Sequence, residues 1–265
     1  MKPIPVDFHI GPLQIHTYGI GLAITFYFAY RYFEKRLRDN ELPWEWLSSS
    51  VLWIIGAAII GARIVHVIAN IKYYISFPIE VFAIWHGGLS SFGGIAGAIP
   101  VALYILRKKA PDLQPLVALD LITPVLMASW AMGRILGPQL MYAGGGRVTN
   151  AWYGLQYAGQ VGYRIPVPVF QATEDFIIFL VSLQLEKFFR AKEMPTGTLL
   201  IATIGLWSVE RFFDEFLWLA VPRLWDAVEV FSIILFVFSI FGLIMQIKKK
   251  RRLAAEPDRQ DLSNS

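Results

Sequence analysis

Residues 46–69 read WLSSSVLWIIGAAIIGARIVHVIA, a run in which Arg63 is the single charged side chain. About 20 predominantly apolar residues are what a helix needs to cross a bilayer core. Six other stretches are built the same way, near residues 14–32, 88–106, 115–136, 170–186, 197–219 and 227–246. The reading is an all-α membrane protein of about seven transmembrane helices. Composition points the same way: 55% of the chain is hydrophobic and 17% charged, against roughly 25% charged in soluble domains, and the mean hydropathy is +0.50.

The basic residues orient these spans. Arg31, Lys35, Arg36 and Arg38 follow the first, Arg107, Lys108 and Lys109 the third, Lys187, Arg190 and Lys192 the fifth, and Lys248, Lys249, Lys250, Arg251 and Arg252 the last. The opposite loops hold little more than Lys2, Lys72, Arg147, Arg164 and Arg223. An excess of Lys and Arg marks cytoplasmic loops, so the N-terminus is expected outside and the C-terminus in the cytoplasm. The net charge of +4 sits in these juxtamembrane clusters facing anionic lipid, which excludes a nucleic-acid reading surface. The first thirteen residues, with Pro3, Pro5 and Pro12, lack a cleavable leader's basic start and small-residue cleavage site, so the first span is expected to serve as the targeting signal. With no cysteine in the chain, disulfides, thiolate metal sites and a cysteine nucleophile are excluded.

A single membrane domain is expected over residues 1–253. Residues 70–87, carrying Tyr73, Tyr74, Phe82, Trp85 and His86, suit a hairpin or short helix at headgroup level. Residues 137–169, rich in Gly, Tyr, Pro and Gln, read as a small extracytoplasmic cap. The polar tail, 254–265, is expected to be disordered.

Charge inside or beside a span is a functional-site signal, because an arginine in hydrocarbon costs several kcal/mol unless it finds a partner or water. Gly133-Arg134 and Gly146-Arg147 place two arginines beside a glycine-rich bend, and the sixth span carries Glu210-Arg211-Phe212-Phe213-Asp214-Glu215. A guanidinium fork matches phosphate oxygens, and neighbouring glycines let backbone N–H groups approach the same anion. The ligand this suggests is a phospholipid headgroup. Arg211 and Glu215, four apart, are neighbours on one helix face, so a purely internal salt bridge is the competing reading. Gly87, Gly88, Gly93, Gly94 and Gly97, around Ser90 and Ser91, suit close helix packing and equally a helix-start anion site. Gln171 and Glu174, three apart, suit a helix-end hydrogen-bonding pair. Arg63 and Asp120 read as structural polar groups inside the bundle. His9, His66 and His86 lack the mutual spacing of a metal site, and neither metal nor cofactor is expected.

In order along nearly the whole chain, these pieces resemble prolipoprotein diacylglyceryl transferase, a bacterial integral membrane family. The resemblance runs through Ile10-Gly11-Pro12 with His16, Tyr18 and Gly19; Gly61-Ala62-Arg63; Tyr74 through Pro78, Phe82 and Trp85 to Gly87-Gly88-Leu89-Ser90 and Gly93-Gly94; and Asp120 with Pro124. It continues through Gly133-Arg134, Gly146-Arg147-Val148-Thr149, Gln171 with Glu174, and Arg211 with Glu215-Phe216. The resemblance implies a multi-pass enzyme of the bacterial cytoplasmic (inner) membrane. It would move the diacylglyceryl group of phosphatidylglycerol to the lipobox cysteine thiol of a preprolipoprotein signal peptide, releasing glycerol phosphate. It casts Arg147, Arg211, Tyr18 and Glu215 as catalytic groups. Arg134, His16, Gly87, Gly88, Ser90, Gly93, Gly94, Gly146, Gln171 and Glu174 would line the substrate site. The chain departs from the family pattern where Phe92 stands in place of a histidine before the second glycine pair. It departs again in residues 136–145, at Pro168-Val169-Phe170, and at Trp218 in place of an arginine. These departures leave two alternatives open: a non-catalytic lipid-binding paralogue, and an enzyme of another phospholipid-headgroup reaction. His16 or His86 is the candidate replacement imidazole.

Overall fold

The computed structural model describes residues 7–10, 13–83, 88–142, 144–218 and 225–263. Trp85, His86 and Gly87, Gly11 and Pro12, Lys2 and Arg223 lie outside the described residues. A short antiparallel hairpin opens the chain, β1 (Asp7–Ile10) against β2 (Leu13–His16), with Asp7 opposite His16. Helix α1 therefore starts at Thr17 and runs to Asp39. The first apolar stretch, expected from residue 14, loses its opening residues to the strand, whose ladder supplies their backbone hydrogen bonds.

The remaining elements are helical: α2 (Glu45–Ser48), α3 (Val51–Ala69), α4 (Ile71–Ser76), a 3-10 turn (Pro78–Phe82), α5 (Ser91–Lys109), α6 (Pro115–Leu136), α7 (Pro138–Met141), α8 (Val167–Ala191), α9 (Thr198–Trp218) and α10 (Ala227–Ser263). The bounds of α10 take in residues 254–263, the stretch expected to be disordered. Its first residues, Ala254, Ala255 and Glu256, are helix formers that continue the helix without a break. Among the described residues, four segments are long and apolar enough to cross a membrane: Val51–Ala69, Pro115–Met141, Val167–Ala191 and Ala227–Ala255. The exposed side chains of α10, including Val237, Phe238 and Phe241, form the kind of outer face that lipid covers.

The chain divides into two compact units, residues 34–118 and residues 1–33 with 119–265, where one domain was expected. Both boundaries fall inside helices, within α1 and α6, so no Pro/Gly-rich linker marks them in the sequence.

In the unit of residues 34–118, α3 and α5 pack backbone to backbone. A Cβ on Gly93 would stand 2.4 Å from the Gly61 carbonyl oxygen, and one on Gly97 would stand 2.3 Å from that of Ala57. Close approach of this kind needs small residues. Ser90 caps α5 by accepting a hydrogen bond from the Gly93 N–H at 3.3 Å. Gly88 has a φ of +74°, and a Cβ there would meet the His66 ring at 2.5 Å, so the position requires glycine. Buried Arg63 gathers the turn before it, donating to the carbonyls of Val81 at 2.9 Å, Gly88 at 3.1 Å, Ala83 at 3.3 Å and Glu80.

In the other unit, Asp120 on α6 accepts from the backbone N–H groups of Gly197 at 2.6 Å and Leu200 at 2.9 Å. It thereby satisfies donors that the first turn of α9 leaves without intrahelical partners. Ser239 of α10 donates to the Ile201 carbonyl at 2.6 Å, in the space left by Gly205. Gly21 lets α1 rest on the α6 end, since a Cβ there would stand 1.9 Å from the Leu136 carbonyl oxygen.

Candidate functional site

Polar side chains converge where α8, α9 and the end of α6 meet. Gln171, completely buried, donates its Nε2–H to Asp214 Oδ2 at 2.8 Å. Arg211 lies 3.5 Å from that same oxygen and 3.4 Å from Glu215 Oε2. Arg134 lies 3.7 Å from Asp175 Oδ2 and donates from Nη1 to Gln139 Oε1 at 2.6 Å. Glu174, Glu210 and Asp214 each offer an oxygen within 4.8 Å of the others. The spacings on α8 and α9 produce this convergence. Positions 171, 174 and 175 lie on one face of α8, and positions 210, 211, 214 and 215 on one face of α9.

The expected pairing of Gln171 with Glu174 is not the one formed. The Gln171 amide instead reaches across to Asp214 on α9. The neighbour pair Arg211–Glu215 is present. Asp175 escaped the sequence reading, although two adjacent acids, Glu174 and Asp175, in an otherwise apolar stretch were a usable signal. Gln139 as the partner of Arg134 had no such signal.

The cap places Arg147. Gly146 donates to the Ile165 carbonyl at 2.9 Å, and the Arg147 N–H donates to the Leu217 carbonyl at 3.1 Å. A Cβ on Gly146 would stand 2.4 Å from that Leu217 oxygen, so the bend needs glycine to lie against the end of α9. Leu217 is six residues beyond Arg211, a rise of about 9 Å along the helix. The Arg147 backbone thus sits at the C-terminal end of α9, the helix that carries Arg211. The Arg147 guanidinium makes no hydrogen bond or ion pair with another described residue. The rest of the cap is held locally. Gln160 exchanges two hydrogen bonds with the Gly145 backbone, at 2.8 and 3.0 Å, and Arg164 donates to the Gly146 carbonyl at 3.2 Å. Tyr157 is buried there without a hydroxyl partner, and burial pushes its phenol up to about 12.

Tyr18 stands one turn before Gly21, which rests on the Leu136 end of α6. The helix start that carries Gly88, Ser90, Gly93 and Gly94 belongs to the other compact unit, where each has the local role given above, save Gly94, whose added Cβ would make only ordinary contacts. His16 and Phe92 are described through their backbones alone.

Guanidiniums braced by buried acids, in a helical fold with segments long and apolar enough to cross a bilayer, define a helical membrane protein. Comparison with known proteins makes this specific. Residues 5–245 match the model of the family described as prolipoprotein diacylglyceryl transferase, and the chain belongs to that family. Similar curated relatives carry the name phosphatidylglycerol–prolipoprotein diacylglyceryl transferase. The one from Ehrlichia ruminantium (strain Gardel) is 31% identical, covering 80% of this chain and 82% of the relative. That from Geobacter sulfurreducens is 28% identical, covering 94% and 96%. That from Fervidobacterium nodosum is 32% identical, covering 86% and 80%.

Proposed function

We propose that this protein transfers the diacylglyceryl group of phosphatidylglycerol to the thiol of a lipobox cysteine in a prolipoprotein signal peptide. In this reading it spans the bacterial cytoplasmic membrane seven times, with the N-terminus outside, and α1, α5 and α9 complete the set of spans. The observation that carries the proposal is Arg211, held between Asp214 and Glu215 on the helix whose end seats the Arg147 backbone. Two buried acids orient the Arg211 guanidinium before substrate arrives, and the Arg147 guanidinium has no hydrogen-bond partner among the described residues.

The reaction breaks the bond between the glyceryl carbon and the phosphate oxygen and forms a carbon–sulfur bond. The phosphate leaves as glycerol phosphate with the bonding electron pair, and the thiol proton passes to an acceptor. Negative charge therefore grows on the departing phosphate, and donors fixed in advance at that point stabilise the transition state more than the ground state. Arg147 and Arg211 take this role, with Arg134, Tyr18, Gln171 and Glu174 shaping the pocket. The nucleophilic sulfur comes from the substrate, in keeping with a chain that has no cysteine.

The test is transfer of a labelled diacylglyceryl group from phosphatidylglycerol vesicles to a lipobox-cysteine peptide by the purified protein. Product lost in both Arg147→Ala and Arg211→Ala is expected. No product from the wild-type protein, with phosphatidylglycerol still bound, would overturn the proposal in favour of a non-catalytic lipid-binding protein.

A further inference from the structure

The acids between α8 and α9 outnumber the cations beside them. Glu174, Asp175, Glu210, Asp214 and Glu215 share this region with Arg134 and Arg211, leaving three negative charges uncompensated if all ionise. Glu210 is 8% exposed, and neither of its carboxylate oxygens has a hydrogen-bond partner. One Glu174 oxygen is likewise buried and unpartnered.

A second observation comes from a neutral side chain. Gln171 is 0% exposed; its Nε2 is fastened to Asp214 at 2.8 Å, while its Oε1 has no partner. The nitrogen and oxygen of a planar amide are roughly 2.2 Å apart, so the idle carbonyl oxygen is held beside the carboxylate cluster. Buried acceptors are ordinarily satisfied, and here acceptors from Glu174, Glu210 and Gln171 stand together without donors.

We propose that Glu174, Glu210 and Asp214, with the Gln171 carbonyl as a fourth oxygen, bind one hard divalent cation, and that Ca²⁺ fits best. An all-oxygen set with three carboxylates selects a hard cation over a soft one. Ligands on opposite sides of one ion stand at most two bond lengths apart. The three carboxylate oxygens lie within 4.8 Å of one another, inside the reach of two Ca²⁺–oxygen bonds of about 2.3–2.6 Å each. The expectation of no metal rested on the histidines and on the absence of cysteine. The carboxylates come from two helices, and their grouping appears only when α8 and α9 pack. The ion fastens α8 to α9. Glu174 and Gln171 are shared with the pocket proposed above, but the test involves no lipid, so failure of cation binding and failure of transfer are distinguishable.

The full-length protein in a neutral detergent, stripped with chelator, is titrated with Mn²⁺ followed by electron paramagnetic resonance, with Ca²⁺ as competitor. One Mn²⁺ per chain, displaced by Ca²⁺, is expected, with at least tenfold weaker binding in Glu210→Gln and in Asp214→Asn. Thermal unfolding of the wild-type protein adds a measurement that needs no variant: Ca²⁺ should raise the Tm, because an ion that binds only the folded state stabilises it by mass action. Absence of saturable Mn²⁺ binding, absence of a Ca²⁺-dependent Tm shift, or unchanged affinity in both variants overturns the proposal.

Discussion

Gln171 and Asp214, 43 positions apart, are joined by a buried 2.8 Å hydrogen bond that fixes how α8 and α9 face one another. The same Asp214 oxygen lies 3.5 Å from Arg211, so the amide and the guanidinium compete for one carboxylate and hold it in place. Gln171→Leu removes the amide and leaves Asp214 short of a buried donor. A destabilisation of about 1–3 kcal/mol is expected from that loss, read as a lower Tm in detergent. An unchanged Tm would show that Asp214 is satisfied without Gln171.

Arg147 tests whether bidentate recognition matters. Arg147→Lys keeps the charge but loses the fork of donors, and transfer should fall at least tenfold, with Arg147→Ala lower still. Removal of a single transition-state donor typically costs about 10²–10³ in kcat. Full activity in the lysine variant would contradict a phosphate role for this side chain.

Gly93→Ala should separate α3 from α5. The added Cβ meets the Gly61 carbonyl oxygen at 2.4 Å, and backbone on both sides leaves little room to adjust. Overpacking of this kind costs about 1–3 kcal/mol. Gly94→Ala is the matched control, because its Cβ would stand 3.6 Å from the nearest atom, ordinary contact. Comparable Tm values for the two variants would argue against backbone packing at Gly93.

Asp120→Asn probes the cap on α9. An amide oxygen still accepts one hydrogen bond but loses the charge that favours a helix N-terminus, whereas Asp120→Ala loses the bonds to Gly197 and Leu200 altogether. A loss of about 1 kcal/mol is expected for alanine and less for asparagine, measured by thermal unfolding. Equal losses would assign the effect to packing.

Tyr157 sets an alkaline limit on the cap. Its folded phenol titrates near 12, against about 10 for an unperturbed tyrosine. The neutral ring's contribution is therefore fully present below pH 10 and is lost as pH rises from 10 to 12. Tyr157→Phe should remove that alkaline fall in Tm and leave stability at pH 7 unchanged or slightly higher, since the hydroxyl has no partner to lose. A wild-type pH profile in the phenylalanine variant would place the loss elsewhere.

Part of the charged cluster was legible before folding. Arg134, Arg147 and Arg211 stand out because charge in an apolar run is rare and costly, and the Arg211–Glu215 pairing follows from helix spacing alone. Local rules ran out where partners come from afar. Gln171 looked like the mate of Glu174, three residues on, but its amide bonds a carboxylate on another helix. Asp120 looked like a generic buried polar group, and only its approach to residues 77 and 80 positions later made it a helix cap. Strand β2, Leu13–His16, took residues 14–16 from what looked like the start of a span.

By itself the sequence determined that this is a helical membrane protein with arginines to be accommodated, because transfer of apolar side chains into lipid and the spacing of side chains on a helix are local, additive properties. The tertiary structure alone decided which acids meet which arginines, that Glu174, Glu210 and Asp214 form one oxygen cluster, and that the Gly146 bend seats Arg147 on the end of α9. Those outcomes depend on how helices separated by tens of residues pack, and packing is settled by the whole set of backbone contacts at once.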